Sequence, residues 1–406
     1  MLYIFILLLI FIGIYQYDYR HVDRGRLFYW ILLLIIFICL AGFRYRMGTD
    51  SINYETTYER DIPTLDRLKL MDFYDLRYMP GYILLASVSR TISNEFMLLQ
   101  FIISTIINCV VFWFFWKNTK HVFFALLLYS IYQYFNLNTE VLREALAVCC
   151  FLLAWPFFKD GKWILYYLMA ILAFMFHISA AVMFLIPIFW IPGIRWAFQY
   201  GIRTYFISIC IILLSLLIGI LFYKFISVLA VTDSMAERTE AYSNNRLGVG
   251  LINFAGLLSN IVQYVFYPLL AMYFIRKINP EKAKSKLIQK TEFMSILGIY
   301  SILFSTGIFI FYRYNNYFFF FSILIISDFI FSLLPFKNKK VRLGFLTWII
   351  LFIPLILLPF YSYYNRNVNR DGTLKVYRMY YPYTNQFTKE LDSKREKLIL
   401  YYRRNS

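Results

Sequence analysis

Arginine, aspartate and tyrosine crowd into one short stretch of this chain, Gly42 to Tyr58 (GFRYRMGTDSINYETTY), directly after an apolar run. Arg44 and Arg46 could hold an anion, Asp50 could take a proton, and Tyr54 could stack or hydrogen-bond. Gly48 frees the backbone between them, and even a fully extended chain carries Asp50 only about 20 Å from Arg44. Four further polar positions stand beside apolar runs: Arg143 and Glu144 in NLNTEVLREALAV, His177 in FMFHISAAV, and Arg313 in FYRYNNYF. Arginine against an apolar wall is expensive unless it meets an anion, and guanidinium matches phosphate oxygens bidentately. The set Arg44, Arg46, Arg143 and Arg313, with few acids around it, therefore reads as a clamp for phosphate, with Asp50 or His177 as general base. Each residue also has a plainer reading. A basic pair ending a helix anchors it at a membrane surface, Glu144 favours a helix N-terminus, and Arg313 suits a hairpin turn.

The elements that must position these residues are membrane spans. Of 406 residues, 61% are hydrophobic and 16% charged, and apolar runs recur along the whole length, so the chain reads as an all-α, polytopic integral membrane protein. Helices are expected at about 2–16, 27–42, 97–116, 122–135, 142–158, 162–176, 178–191, 204–227, 250–275, 291–311, 316–334 and 343–361, about twelve spans. The pair flanking His177 is the shortest. Within the first large loop, 43–96, the segment Pro80–Ile92 (PGYILLASVSRTI) is apolar but too short to cross, and reads as a re-entrant or interfacial helix. The domain division is a transmembrane domain over 1–361 and a basic C-terminal tail over 362–406.

Loops 17–26, 117–121, 159–163, 192–203, 276–290 and 335–342 together carry 19 Lys and Arg, against ten in 43–96, 136–141, 228–249 and 312–315. The first of the opposite loops also balances seven basic residues with eight acids. The positive-inside rule places the first set in the cytoplasm and Arg44, Arg46, Asp50, Arg143, His177 and Arg313 on the outer face. Asp328, inside an expected span on the cytoplasmic side, reads as a structural partner. The net charge of +18 sits in short loops and does not form a nucleic-acid surface. All five cysteines lie in apolar runs, so neither a disulfide framework nor a metal cage is indicated. The abundance of Phe and Tyr follows a general Ile, Asn and Lys bias and carries little weight.

In order along the chain, FRYRMGTDSINY, the span start in NLNTEVLR, FHISA between spans, and YYPY in the tail resemble the EpsG family of Wzy-like capsular and exopolysaccharide polymerases. The resemblance maps the family's arginine, glycine, small residue, aspartate and tyrosine onto Arg46, Gly48, Thr49, Asp50 and Tyr54. Where the family has glutamine after the helix-start arginine, this chain has Glu144. The resemblance implies a glycosyltransferase of the bacterial cytoplasmic (inner) membrane. It would polymerise undecaprenyl-pyrophosphate-linked oligosaccharide repeat units into capsular polysaccharide, exopolysaccharide or O-antigen on the external face. Arg46, Asp50, Arg143 and His177 would be catalytic, and Arg44, Tyr54, Glu144 and Arg313 would bind substrate. Its partners would be the lipid-linked oligosaccharide, membrane lipid and a chain-length regulator. No metal or cofactor is expected, because arginines can neutralise the leaving pyrophosphate. The rival readings are a flippase or transporter of lipid-linked sugars, an O-antigen-ligase-like transferase sharing the chemistry, and an O-acyltransferase using His177.

Overall fold

Local breaks in the apolar pattern decide where the helices stop. Gly25, with φ of +79°, opens the helix Arg26–Gly42, and Gly161, with φ of +70°, closes Leu142–Asp160. The structure, a computed structural model, describes residues 2–75, 78–229, 254–278, 280–332, 353–361, 364–365, 374–391 and 393–405. The described part is helical, with one isolated backbone bridge between Arg44 and Asn385. The expected run 343–361 is helical at 353–361, and its earlier residues lie outside the described ones, as do the expected loop 335–342 and nearly all of the loop 228–249.

Two units make up the chain: Met1–Phe184 with Phe352–Ser406, and Leu185–Leu351. In the first, α1 (Leu2–Gly13) runs on into a π-helical turn, Ile14–Tyr19, and is followed by α2 (Arg26–Gly42), α3 (Ser51–Arg60) and the short α4 (Asp72–Asp75). Next come α5 (Pro80–Ile92), α6 (Phe96–Asn118), α7 (Val122–Tyr132), α8 (Leu142–Asp160) and α9 (Trp163–Phe176). α2 packs along α6, and α8 along α9 in a tight hairpin. The ends of α2, α7 and α9 and the starts of α6 and α8 fall at one end of this bundle, because each connection reverses the chain. The basic connections gather at the other end: Arg26 donates to the Lys120 carbonyl, and Lys159 and Trp155 donate to Asn118 Oδ1 at 3.2 and 2.9 Å.

In the second unit the helices are Ile202–Leu229, Phe254–Ile261 continuing through a π-turn into Tyr267–Ile278, Lys286–Phe304, and Asn315–Ser332. Glu292 is buried and meets Arg276 at 2.5 Å, while Arg276 also donates to the Tyr200 carbonyl at 3.0 Å. Asp328 lies half-buried in the last of these helices.

Among the described residues five helices are long and apolar enough to cross a membrane: 2–19, 96–118, 258–278, 286–304 and 310–331. A sixth span results if 178–189 and 192–198, bent by 101°, are one broken crossing. The chain is thus an all-helical protein with several spans of a multi-pass membrane protein, but five or six segments meet the length requirement where about twelve are expected. The physical reason is length and charge. The helices over 26–42, 122–132, 163–176 and 202–218 are apolar but short, and α8 carries Arg143, Glu144, Lys159 and Asp160 at its ends. The break at His177 is real. α9 ends at Phe176, His177 is extended (φ −156°, ψ 136°), and a 3-10 turn over Ile178–Ala181 follows.

Candidate active site

A loop that leaves a helix end must satisfy its own backbone, and the stretch after α2 does so with two distant segments. Gln100 of α6 donates to the carbonyls of Gly42 and Arg44 at 2.7 and 2.8 Å. The tail then lies alongside: Tyr45 N donates to Thr384 O at 2.9 Å, Gln386 N to Phe43 O at 2.9 Å, and Gly48 N to Met379 O at 3.3 Å. Met47 and Ile52 share a buried apolar cluster with Met379, Tyr380, Leu398 and Ile399. The YYPY stretch is therefore packed against the Arg44–Asp50 loop, and the tail stands at the same end of the unit as that loop.

Within this frame the arginines have different fates. Arg44 is 1% exposed, donates to the Ala41 carbonyl, and leaves its Nε and Nη2 without hydrogen-bond partners among the described residues. Burial lowers its pKa to about 10, against the pull of Tyr134, Tyr383 and Glu140, so it stays charged at neutral pH. Arg46, in the left-handed region at φ of +45°, makes an ion pair with Glu55 of α3 at 2.9 Å. A residue other than glycine held there stores local strain, a feature that clusters at functional sites.

Arg143 sits in the first turn of α8, enclosed by phenol rings. Its guanidinium carbon lies 4.4 Å from the centre of the Tyr78 ring and 5.9 Å from that of Tyr54. Tyr82 of α5 completes the enclosure, with ring centres 5.2 Å from Tyr78 and 6.1 Å from Tyr54. Arg143 Nε is buried without a hydrogen-bond partner among the described residues. Burial raises the Tyr54 phenol to about 12, with Arg143 pulling it down. Proline at the first helical position starts α5 at Pro80. Gly81 follows because a Cβ there would lie 2.9 Å from the Met175 carbonyl oxygen. The start of α5 thereby rests on the last turn of α9, two residues before His177.

His177 is buried, and its Nδ1 accepts the Ser179 backbone N–H at 3.1 Å and faces the Ser179 hydroxyl at 2.6 Å. An Nδ1 occupied as acceptor puts the proton of the neutral ring on Nε2, which is then a donor. Asp50 is exposed just before α3, and its field reaches the Tyr54 hydroxyl. Glu144 is buried one position beyond Arg143. Arg313 belongs to the second unit, exposed on the 3-10 turn Phe309–Tyr314. The first unit thus brings Arg44, Arg46, Asp50, Tyr54, Arg143, Glu144 and His177 to one end, while Arg313 stands in the other unit.

Sequence reasoning passes over Glu140, Tyr78, Tyr82 and Tyr380. Glu140 ends the π-helical turn Asn136–Glu140 and accepts Thr49 N at 2.9 Å, Thr49 Oγ1 at 2.5 Å and Asp50 N at 3.2 Å, together with the Tyr380 hydroxyl. The signal for it is the polar run Asn138-Thr139-Glu140 interrupting apolar sequence, with a π-turn as its structural mark. The sequence matches the EpsG family over residues 27–385. No curated protein and no solved structure matches the chain.

Proposed function

Since the chain belongs to the EpsG family, we propose that it is a membrane glycosyltransferase that polymerises undecaprenyl-pyrophosphate-linked oligosaccharides on the outer face of the bacterial cytoplasmic membrane. The observation that carries this reading is the enclosure of Arg143 by Tyr54, Tyr78 and Tyr82, without a carboxylate among its partners in the described residues. Cation–π and phenol contacts orient a guanidinium and leave its charge uncompensated, so it attracts a phosphate. Arg46, by contrast, already has Glu55.

In the reaction so read, Asp50 takes the proton from a sugar hydroxyl of one lipid-linked unit. The hydroxyl oxygen forms a bond to the anomeric carbon of the other unit. The anomeric carbon–oxygen bond to pyrophosphate breaks, and its electron pair leaves with the pyrophosphate, which Arg143 stabilises. The proton on Asp50 passes to water. Twelve crossings, with the short helices completing the count through bilayer thinning and snorkelling flanks, would keep this end outside.

The test is purified full-length protein in nanodiscs with lipid-linked repeats, read as polymer still attached to lipid pyrophosphate. Arg143→Lys should lower turnover by about a thousandfold, equivalent to about 4 kcal/mol, because an ammonium offers no planar fork. Turnover unchanged by Arg143→Lys would overturn the reading. Transfer of glycan to a non-lipid acceptor with no chain growth would replace it with a ligase.

A further inference from the structure

We propose that Glu140 is a positioning residue that binds the Asp50 loop and the C-terminal tail to one carboxylate, making the tail a structural part of the site. This inference rests on the reading of Asp50 and Arg143 as the reacting end of the molecule. Its geometry, however, can be tested apart from activity.

Glu140 is itself held in place from below. Asn138, one turn-step earlier, donates to the Tyr129 hydroxyl at 3.1 Å and the Tyr134 carbonyl at 3.0 Å, and accepts from Asn108 at 3.0 Å. Asn108, Ser104 and Gln100 lie four residues apart along α6, and Ser104 and Gln100 reach the carbonyls of Ile38, Gly42 and Arg44. This buried polar ladder fixes the π-turn to α2 and α6, and hydrogen bonds in a low dielectric define one arrangement. The carboxylate at its top then receives donors from two segments far apart in sequence, Thr49 and Asp50 on one side and Tyr380 on the other.

The loop is shaped for this approach. Gly48 has φ of +94°, and a Cβ there would lie 2.9 Å from Thr139 Cβ and 3.1 Å from Glu140 Oε1. Only glycine lets the backbone close down on the π-turn, and closing down brings the amides of Thr49 and Asp50 onto the carboxylate. Those amides open α3, where negative charge is favoured, so Glu140 caps from outside a helix whose own Asp50 side chain makes no cap. Asp50 stands at the exposed edge of the loop that Glu140 holds. Glu140 also faces the buried Arg44 and is the one carboxylate among the described groups that act on it. Tyr380 is fixed in turn, since Tyr3 donates to its carbonyl at 2.7 Å and Arg395, fully buried, ties Arg378, Pro382 and Thr384 together.

The experiment compares full-length protein with Glu140→Gln and Tyr380→Phe in nanodiscs by backbone hydrogen exchange and by turnover on lipid-linked repeats. Glu140→Gln should raise exchange in both 43–50 and 379–386, by about tenfold or more, as one opening unit. It should lower kcat by about 30-fold with the donor KM within about twofold, since a misplaced group loses rate more than affinity. Tyr380→Phe, which removes one donor and leaves the carboxylate, should open the same two segments to a smaller degree. It serves as the test if Glu140→Gln does not fold. Loss of turnover without increased exchange in either segment would make Glu140 something other than a positioning residue, and exchange confined to the tail would break the coupling; either overturns the proposal, as does unchanged kcat. If Arg143→Lys leaves polymerisation intact, the functional reading falls while the coupled opening still decides the role of Glu140.

Discussion

Two half-buried arginines meet opposite partners in this protein. Arg276 lies against the Tyr200 ring at 5.0 Å and closes an ion pair with the buried Glu292 at 2.5 Å. Arg143 lies against Tyr78 at 4.4 Å and meets phenols in place of a carboxylate. Both are oriented by aromatic rings, but among the described residues Arg276 has a carboxylate partner where Arg143 has none. The difference teaches how one residue type serves two purposes. An arginine with a carboxylate is a strut between helices, whereas an arginine caged by tyrosines keeps a charge that a ligand must answer.

The largest effect that sharpens this contrast, beside the loss from Arg143→Lys, comes from breaking the strut. Glu292→Gln leaves the half-buried Arg276 without its carboxylate and should destabilise the protein by about 3 kcal/mol. Replacing both partners, by Arg276→Met with Glu292→Leu, should recover most of that, and turnover per folded molecule should hold in both variants. Thermal unfolding in detergent with activity normalised to folded protein checks this, and a loss of turnover with full stability would erase the distinction between strut and clamp.

A smaller effect lies in the cage itself. Burial lifts the Tyr54 phenol to about 12, while an unfolded tyrosine loses its proton near 10. Below pH 10 both states hold the proton and the contribution of Tyr54 is complete. Between 10 and 12 the unfolded chain releases a proton that the folded chain keeps, so stability falls as pH rises, by about 2 kcal/mol over the window. Tyr54→Phe should remove that part of the alkaline slope in unfolding measured from pH 9 to 12. A slope equal to that of the unsubstituted protein would place Tyr54 in water and open the cage.

The smallest effect belongs to Arg46. Its pair with Glu55 is partly solvated, with side-chain exposures of 32% and 16%, and such pairs contribute about 1 kcal/mol at most. Arg46→Gln should therefore change polymer yield by less than about fivefold. A loss equal to that of Arg143→Lys would show that the Glu55 pair does not withdraw Arg46 from the site.

The apolar runs, the break at His177 and the helix from Pro80 to Ile92 were determined by the sequence alone, because hydrophobic periodicity and proline act over a few residues. Alternation of loops leads to an expected single face for Arg44, Arg46, Asp50, Tyr54, Arg143, Glu144, His177 and Arg313, and of these Arg313 belongs to the second unit. Crossing length was less legible, since a short apolar helix and a full span share the same composition. Tertiary structure alone decided which arginine keeps its charge: Glu55 for Arg46 and the tyrosines for Arg143 are met only once the chain has folded back. It also decided that Glu140 holds the loop, across 91 residues to Thr49 and 240 to Tyr380. Contacts at such separations leave no local pattern, because their partners are chosen by how the helices pack and not by their neighbours in the chain.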